Sequence, residues 1–376
     1  MQACPNEAIA IRIVDKAQIV EDVQGDAFLP GAPSPGITLP TTEYKTKRVF
    51  PKNTLPADFY NVRPAHNHFP LVVLLVLTQL SVGAFSVDYA VTTFFHTEAT
   101  IQRYHALVAL ALGLIALGAA TAHLGRPLYG FRAIMGIRHS WMSREIAGFG
   151  AFAGLAVAYA AGAWADTVLG WVGLPMLPVA LADRLQRWLG AAVALSGLFG
   201  VWCSVMLYAV TRRAFWQLSQ SAPRFFATTL LLGLSLTLLV FAGAARFGEP
   251  VPGYILSGLC GALIATAVFK VLLEASIFSH LRFNQVSDLK RTALLMWGEL
   301  SAITRLRFLL VALGGLLLPF WFTVYVDPKA ERVALGAAAL TITLVSTLCL
   351  VAGEFAERSL FFMAAASPKM PGAVGK

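Results

Sequence analysis

Of 376 residues only 49 are charged, or 13% against about 25% for a soluble domain, while 57% are hydrophobic. These proportions exclude an ordinary soluble globular protein and an intrinsically disordered one. Residues 1–68 carry seven charges of each sign, so the whole +9 net charge lies in the remaining 308 residues, which hold 22 basic and 13 acidic side chains. Charge this sparse cannot supply the clustered Lys and Arg face that nucleic-acid binding requires.

The chain opens with Cys4-Pro5, followed by the alternating Ile9, Ile11 and Ile13 of a short predicted strand. Residues 1–23 resemble the end of a bacterial ferredoxin module, where the run C-x2-C-x2-C-x3-C-P holds a [4Fe–4S] cluster. One cysteine cannot hold a cluster, and the preceding ligand of that motif would fall immediately before Met1. Cys4 is therefore an iron–sulfur ligand only if the chain extends upstream, as the tail of a longer fusion. Residues 24–68, with Pro70 just beyond, are proline-rich and have no periodic apolar face, so an extended strap is expected. It is either a mobile linker or a segment lying along a partner subunit. Anchors such as Phe28, Tyr44, Phe50 and Phe59 favour the second.

From Phe69 onward, eight apolar stretches of at least 18 residues lack Asp, Glu, Lys and Arg. They lie between Arg63 and Asp88, Arg103 and Arg126, Glu145 and Asp166, Arg187 and Arg212, Arg224 and Arg246, Glu249 and Lys270, Arg307 and Asp327, and Arg332 and Glu354. A ninth stretch, between Asp166 and Asp183, is shorter, contains Pro175 and Pro178, and reads as a loop or interfacial segment. The expected fold is an all-α integral membrane protein, an eight-transmembrane-helix bundle over residues 69–366, with an extended N-terminal tail and a short tail at 367–376. Eight spans place both termini on one side. The loops and tail on that side hold 16 basic residues against 6 opposite, so both termini are expected in the cytoplasm, in the inner membrane of a bacterium. No secretory or twin-arginine leader precedes the first span in the sequence given. Cys203, Cys260 and Cys349 fall singly within predicted spans, as small apolar filler.

The segment joining spans two and three reads His123-Leu124-Gly125-Arg126-Pro127, then Ser140-Trp141-Met142-Ser143-Arg144-Glu145-Ile146. It gathers an imidazole, arginines and a carboxylate at the membrane surface. Structural roles are available to all of them. His123 can end a helix before a Gly125 cap, Ser143 can cap the next helix with Glu145 in its first turn, and the arginines can serve as topology and headgroup anchors. The chemical alternative is a quinone headgroup site, since two-electron quinone chemistry moves two protons and needs an acid or base beside an apolar channel.

The motifs H-L-G-x-P and S-x-E-I, with Gln79 in the first span and Glu354-x-x-x-Arg358 before Phe361-Phe362 in the last, resemble the membrane anchor subunit of the dimethyl sulfoxide reductase family. The resemblance covers roughly residues 69–366. It implies a subunit that binds quinone or menaquinone and exchanges electrons with a ferredoxin-like iron–sulfur subunit, itself joined to a molybdopterin catalytic subunit. It also implies His123, Glu145, Arg126, Ser143 and Gln79 as quinone-binding residues, although Gln79 serves equally well as an interhelical hydrogen-bonding group. The [4Fe–4S] clusters and molybdopterin would belong to partner subunits, so this chain would be a quinone-reactive subunit without molybdenum, and no metal site is expected in it.

No haem is expected either, because axial ligation needs two histidines facing each other from different helices at similar depth. His105 and His123 share one span, about 27 Å apart at 1.5 Å per residue. A secondary transporter with eight spans is the alternative, but neither midplane ionisable groups nor internal repeats are evident. Lys270 and Glu274 read as a satisfied i,i+4 ion pair. Direction is open: the anchor suits a quinone-reducing complex like the sulfite dehydrogenases, which topology slightly favours, or a quinol-oxidising one like dimethyl sulfoxide reductase.

Overall fold

The computed structural model describes residues 62–95, 99–122, 127–173, 178–211, 213–284 and 287–366. Cys4, the strand after it, nearly all of the strap, His123 and Arg126 lie outside them. Residues 64–366 form one compact unit. Its helices are α1 (Phe69–Phe95), α2 (Ala99–Ala122), α3 (Trp141–Ala163), α4 (Ala165–Val172), α5 (Val179–Ala209), α6 (Leu218–Arg246), α7 (Gly253–Ala275), α8 (Asp288–Trp297), α9 (Ser301–Ala312), α10 (Leu318–Phe322) and α11 (Ala337–Met363). A 3₁₀ segment (Pro127–Gly136) precedes α3, and a π-helical stretch (Leu313–Leu317) joins α9 to α10 as one membrane span. Eight helices among the described residues are long and apolar enough to cross a membrane, as expected. The face carrying the start of α1 and the end of α11 is called here the near face, and the opposite one the far face.

Helix boundaries depart from the charge-free runs in an instructive way. α5 begins at Val179, before Arg187; α6 begins before Arg224; α7 runs past Lys270 and Glu274; α9 starts before Arg307; and α11 continues through Glu354 and Arg358. Apart from Glu274, next to the last residue of α7, these charges are inside the helices and not at their ends. Four of the 16 basic residues assigned to near-face loops, Arg224, Lys270, Arg307 and Arg358, are thus buried inside membrane spans, leaving twelve against six. The ninth stretch contributes the eight-residue α4, closed by Gly173 at φ 72°. Its Trp171 is 81% exposed, the habit of an interfacial anchor.

α1 and α6 are the most buried spans, and they cross backbone to backbone. A Cβ on Gly83 would stand 1.8 Å from the Thr229 carbonyl oxygen, and one on Gly233 would stand 2.3 Å from the Gly83 carbonyl carbon. Only glycine permits this approach, which replaces a hydrophobic drive, absent between helices in lipid, with backbone contact. The π turn has a local cause: Pro319 would collide with the carbonyl four residues earlier, and the wider turn over Gly314-Gly315 avoids it. At the near face the entering chain is pinned to the last helix by Ala65 N–H donating to the Met363 carbonyl (2.9 Å) and by Phe69 stacking on Phe355.

Candidate functional site

α3 starts where Ser140 accepts a hydrogen bond from the Ser143 backbone N–H at 3.4 Å. The N-cap is therefore Ser140 and not Ser143, because Ser143 is already helical, and Glu145 falls in the second turn, beyond the first-turn position expected of it. Arg144 clamps the preceding segment by donating to the carbonyls of Ile137 and Arg138, both at 2.9 Å, and by stacking on Trp141. That leaves Glu145 turned inward, 7% exposed, with the Ser204 hydroxyl of α5 donating to its Oε1. Among the described residues no cation pairs with it. Ser143 is buried beside it in sequence, its hydroxyl against Gly136. The structure thus positions Glu145 and Ser143, while His123 and Arg126, the other half of the sequence motif, lie outside the described residues.

Gln79 is elsewhere. Its Oε1 accepts from Arg358 Nη2 at 3.0 Å, realising the interhelical role, and no hydrogen bond joins it to Glu145. Arg358 belongs to a buried ionic network that sequence reasoning reduced to one ion pair. Arg307 grips Glu274 with Nε (2.9 Å) and Nη2 (2.8 Å) and reaches Glu354 Oε1 at 2.8 Å. Lys270 lies 2.9 Å from Glu354 Oε2 and 3.5 Å from Glu274. The Thr228 hydroxyl donates to Glu354 Oε2 (2.8 Å) while accepting from Lys270 and from Arg358 Nη2 (3.0 Å). Arg358 also pairs with Glu357 at 2.9 Å and stacks over Phe225. Three acids face three bases, tying α1, α6, α7, α9 and α11 together near the near face. Arg224, 2% exposed, stacks over Phe215 at the edge of this group. The available signals were Lys270/Glu274 and Glu354/Arg358 at i,i+4, and Arg307 just inside an apolar run.

Beside the network, Trp216 donates to the Phe361 carbonyl at 2.8 Å and stacks on its ring, with Tyr208, Phe225 and Phe362 completing an aromatic cluster. The sequence reading found no midplane ionisable groups; the acids and bases above lie toward the near face, where they neutralise one another although each alone would be prohibitively costly. His105 sits fully buried with its two ring nitrogens turned to Thr237 and Asp88. Among the described residues no group of three or more His, Cys, Asp or Glu side chains is arranged to hold a metal ion.

The fold and these buried polar groups define a multi-pass helical membrane protein whose bundle is tied by buried ion pairs. The chain belongs to the DMSO reductase anchor subunit (DmsC) family, whose model matches residues 64–363. It is similar to an anaerobic dimethyl sulfoxide reductase chain of Haemophilus influenzae, 29% identical over 170 residues, covering 45% of this chain and 56% of that protein. It is also similar to a sulfite dehydrogenase subunit of Allochromatium vinosum, 34% identical over 169 residues, covering 43% and 49%. The matched region spans about half the length of either relative. The chain is thus a multi-pass membrane protein of an anchor-subunit family.

Proposed function

We propose that this anchor binds a quinone, menaquinone included, at its near face and exchanges electrons between it and the iron–sulfur subunit of a molybdopterin oxidoreductase. The observation that carries the reading is the state of Glu145. Glu274 and Glu354 are locked by cations, but among the described residues Glu145 is buried with no cation and with the Ser204 hydroxyl as its hydrogen-bond partner, which is the setting of a group that takes and gives a proton. A bound quinone would supply the two-electron chemistry. Glu145 accepts or returns a proton at the oxygen that does not face Ser204, Ser204 holds the carboxyl in place, and His123, Arg126 and Ser143 complete the headgroup site. Gln79 is assigned to steadying Arg358. Near-face placement keeps the quinone close to a docked iron–sulfur partner. The twelve-to-six bias in basic residues supports a cytoplasmic near face in a bacterial inner membrane. Both relatives' names fit this reading, and the partner chain sets whether quinone is reduced, as in a sulfite dehydrogenase, or quinol oxidised, as in a dimethyl sulfoxide reductase. The resemblance of the Cys4-Pro5 segment to a ferredoxin module supports an iron–sulfur partner.

The test is fluorescence titration of the purified chain with a naphthoquinone analogue, together with quinone-linked turnover of the native complex. Glu145→Gln and His123→Ala should each abolish turnover and weaken analogue binding, with assembly intact. Unchanged turnover in both variants would refute the site. A pull-down through the C-terminus that returns no iron–sulfur protein would refute the electron-exchange role.

A further inference from the structure

A second buried polar group lies at the opposite end of the bundle, and the reading above makes no use of it. Asp88 (α1), His105 (α2), Tyr159 (α3) and Thr237 (α6) converge some 6–14 Å inside their helix ends at 1.5 Å per residue. Asp88 and His105 are 1% and 0% exposed. Tyr159 donates its hydroxyl to Asp88 Oδ2 at 3.3 Å, His105 Nε2 meets Thr237 Oγ1 at 3.0 Å, and Asp88 Oδ1 stands 3.9 Å from His105 Nδ1. Those last two atoms have no hydrogen-bond partner among the described residues. A lone charge at this depth is untenable, so the pair is stable as carboxylate with imidazolium or as two neutral groups, in both cases holding one proton between them.

The cluster has a way out. A cavity of about 190 Å³ at the far face, lined by Arg103, Asp166, Asp183 and Gln186 among apolar neighbours, has room for several waters. Arg103 and Asp166 face each other across its rim at 3.5 Å. Gln186 lines the cavity and donates to the Tyr159 backbone carbonyl at 3.1 Å, so one side chain joins the cavity to the helix turn that carries the cluster's tyrosine. Gly162 makes the room, since a Cβ there would lie 2.7 Å from Gln186 Oε1. Toward the near face the way is shut. Phe85 and Phe152, 3% and 2% exposed, pack edge to face at 5.8 Å, with Phe85 also against Tyr159, and Phe152 stands two helical turns from Glu145. The Ser81 hydroxyl, on the same face of α1, is already committed to the Ala109 carbonyl at 2.7 Å.

We infer that Asp88, His105 and Tyr159 form a proton-exchange site that communicates with the far-face compartment through Gln186 and its cavity and is sealed from the near face by Phe85 and Phe152. The charged and titratable groups facing it are Asp88, His105 and Tyr159 themselves, with Arg103, Asp166 and Asp183 at the cavity. The inference stands apart from the quinone site. It implies that Glu145 and this cluster answer to different compartments.

The test places the full chain in sealed lipid vesicles of one orientation, steps the pH on one face at a time, and follows carboxyl and imidazole bands by time-resolved infrared difference spectroscopy. The expected result is a signal lost in Asp88→Asn and in His105→Gln that answers a far-face step and not a near-face one. Gln186→Leu and Tyr159→Phe should slow it severalfold. Retained binding of the naphthoquinone analogue shows that a variant is folded, and should Asp88→Asn not fold, the rates in Tyr159→Phe and Gln186→Leu decide. A signal answering the near face, no signal at all, or unaltered rates in both of those variants would overturn the inference. Failure of analogue binding in the unmodified chain would count against the quinone site alone.

Discussion

Replacing Glu354 by Gln tests whether the near-face network holds the bundle together. Glu354 is fully buried, 2.8 Å from Arg307, 2.9 Å from Lys270 and 2.8 Å from Thr228. At an effective dielectric constant of about 20, each cation contact carries roughly 6 kcal/mol of gross attraction. Most of that offsets the desolvation of the charges, and breaking one partner of a buried ion pair costs about 3–5 kcal/mol net. Gln keeps the volume and one acceptor oxygen, and Arg307 keeps its two-pronged grip on Glu274, so the expected loss is near the lower end, about 3 kcal/mol. Most of it arises because Lys270 is left buried with Glu274 as its nearest acid, at 3.5 Å. The assay is denaturant unfolding in mixed micelles, followed by tryptophan fluorescence. The paired variant Lys270→Met with Glu354→Gln removes both charges and should recover at least about 1 kcal/mol relative to the sum of the single changes. A Glu354→Gln protein within about 0.5 kcal/mol of the parent, or a pair with no coupling, would refute the reasoning.

The α1–α6 crossing offers a sharper steric test: Gly83→Ala or Gly233→Ala should destabilise by about 1–3 kcal/mol or more in the same assay, whereas Gly150→Ala and Gly154→Ala, with open space around them, should be neutral or slightly stabilising. Ser204→Ala should weaken quinone-linked turnover and alter its pH profile while Ser204→Thr, which keeps the hydroxyl, restores both; a pH profile identical across the three proteins would show that Ser204 does not position Glu145. Trp216→Phe should cost about 1–3 kcal/mol, because it leaves the buried Phe361 carbonyl without its 2.8 Å donor, and an unfolding midpoint equal to the parent's would count against that contribution.

Composition and charge spacing were enough to establish a helical membrane protein with eight spans and both ends of the bundle on one face, because lipid admits few solutions for a backbone that must satisfy its own hydrogen bonds. The loop motif before α3 was visible too, and it made Glu145 a candidate. Its partner Ser204, 59 residues further on in another helix, was not. Arg224, Lys270, Arg307 and Glu354 were read as span ends because a charge taken alone belongs at a helix end in water. Asp88 was read the same way, and His105 drew attention only as a haem ligand lacking a mate. What moved these groups inside is pairing between residues distant in the chain: Arg307 with Glu274 and Glu354, 33 and 47 positions apart, Arg358 with Gln79, 279 apart, and Tyr159 with Asp88, 71 apart. A linear sequence shows where charge is scarce. Whether a particular charge can be buried depends on an opposite charge or hydrogen-bond partner arriving from another helix, and only the tertiary structure brings them together.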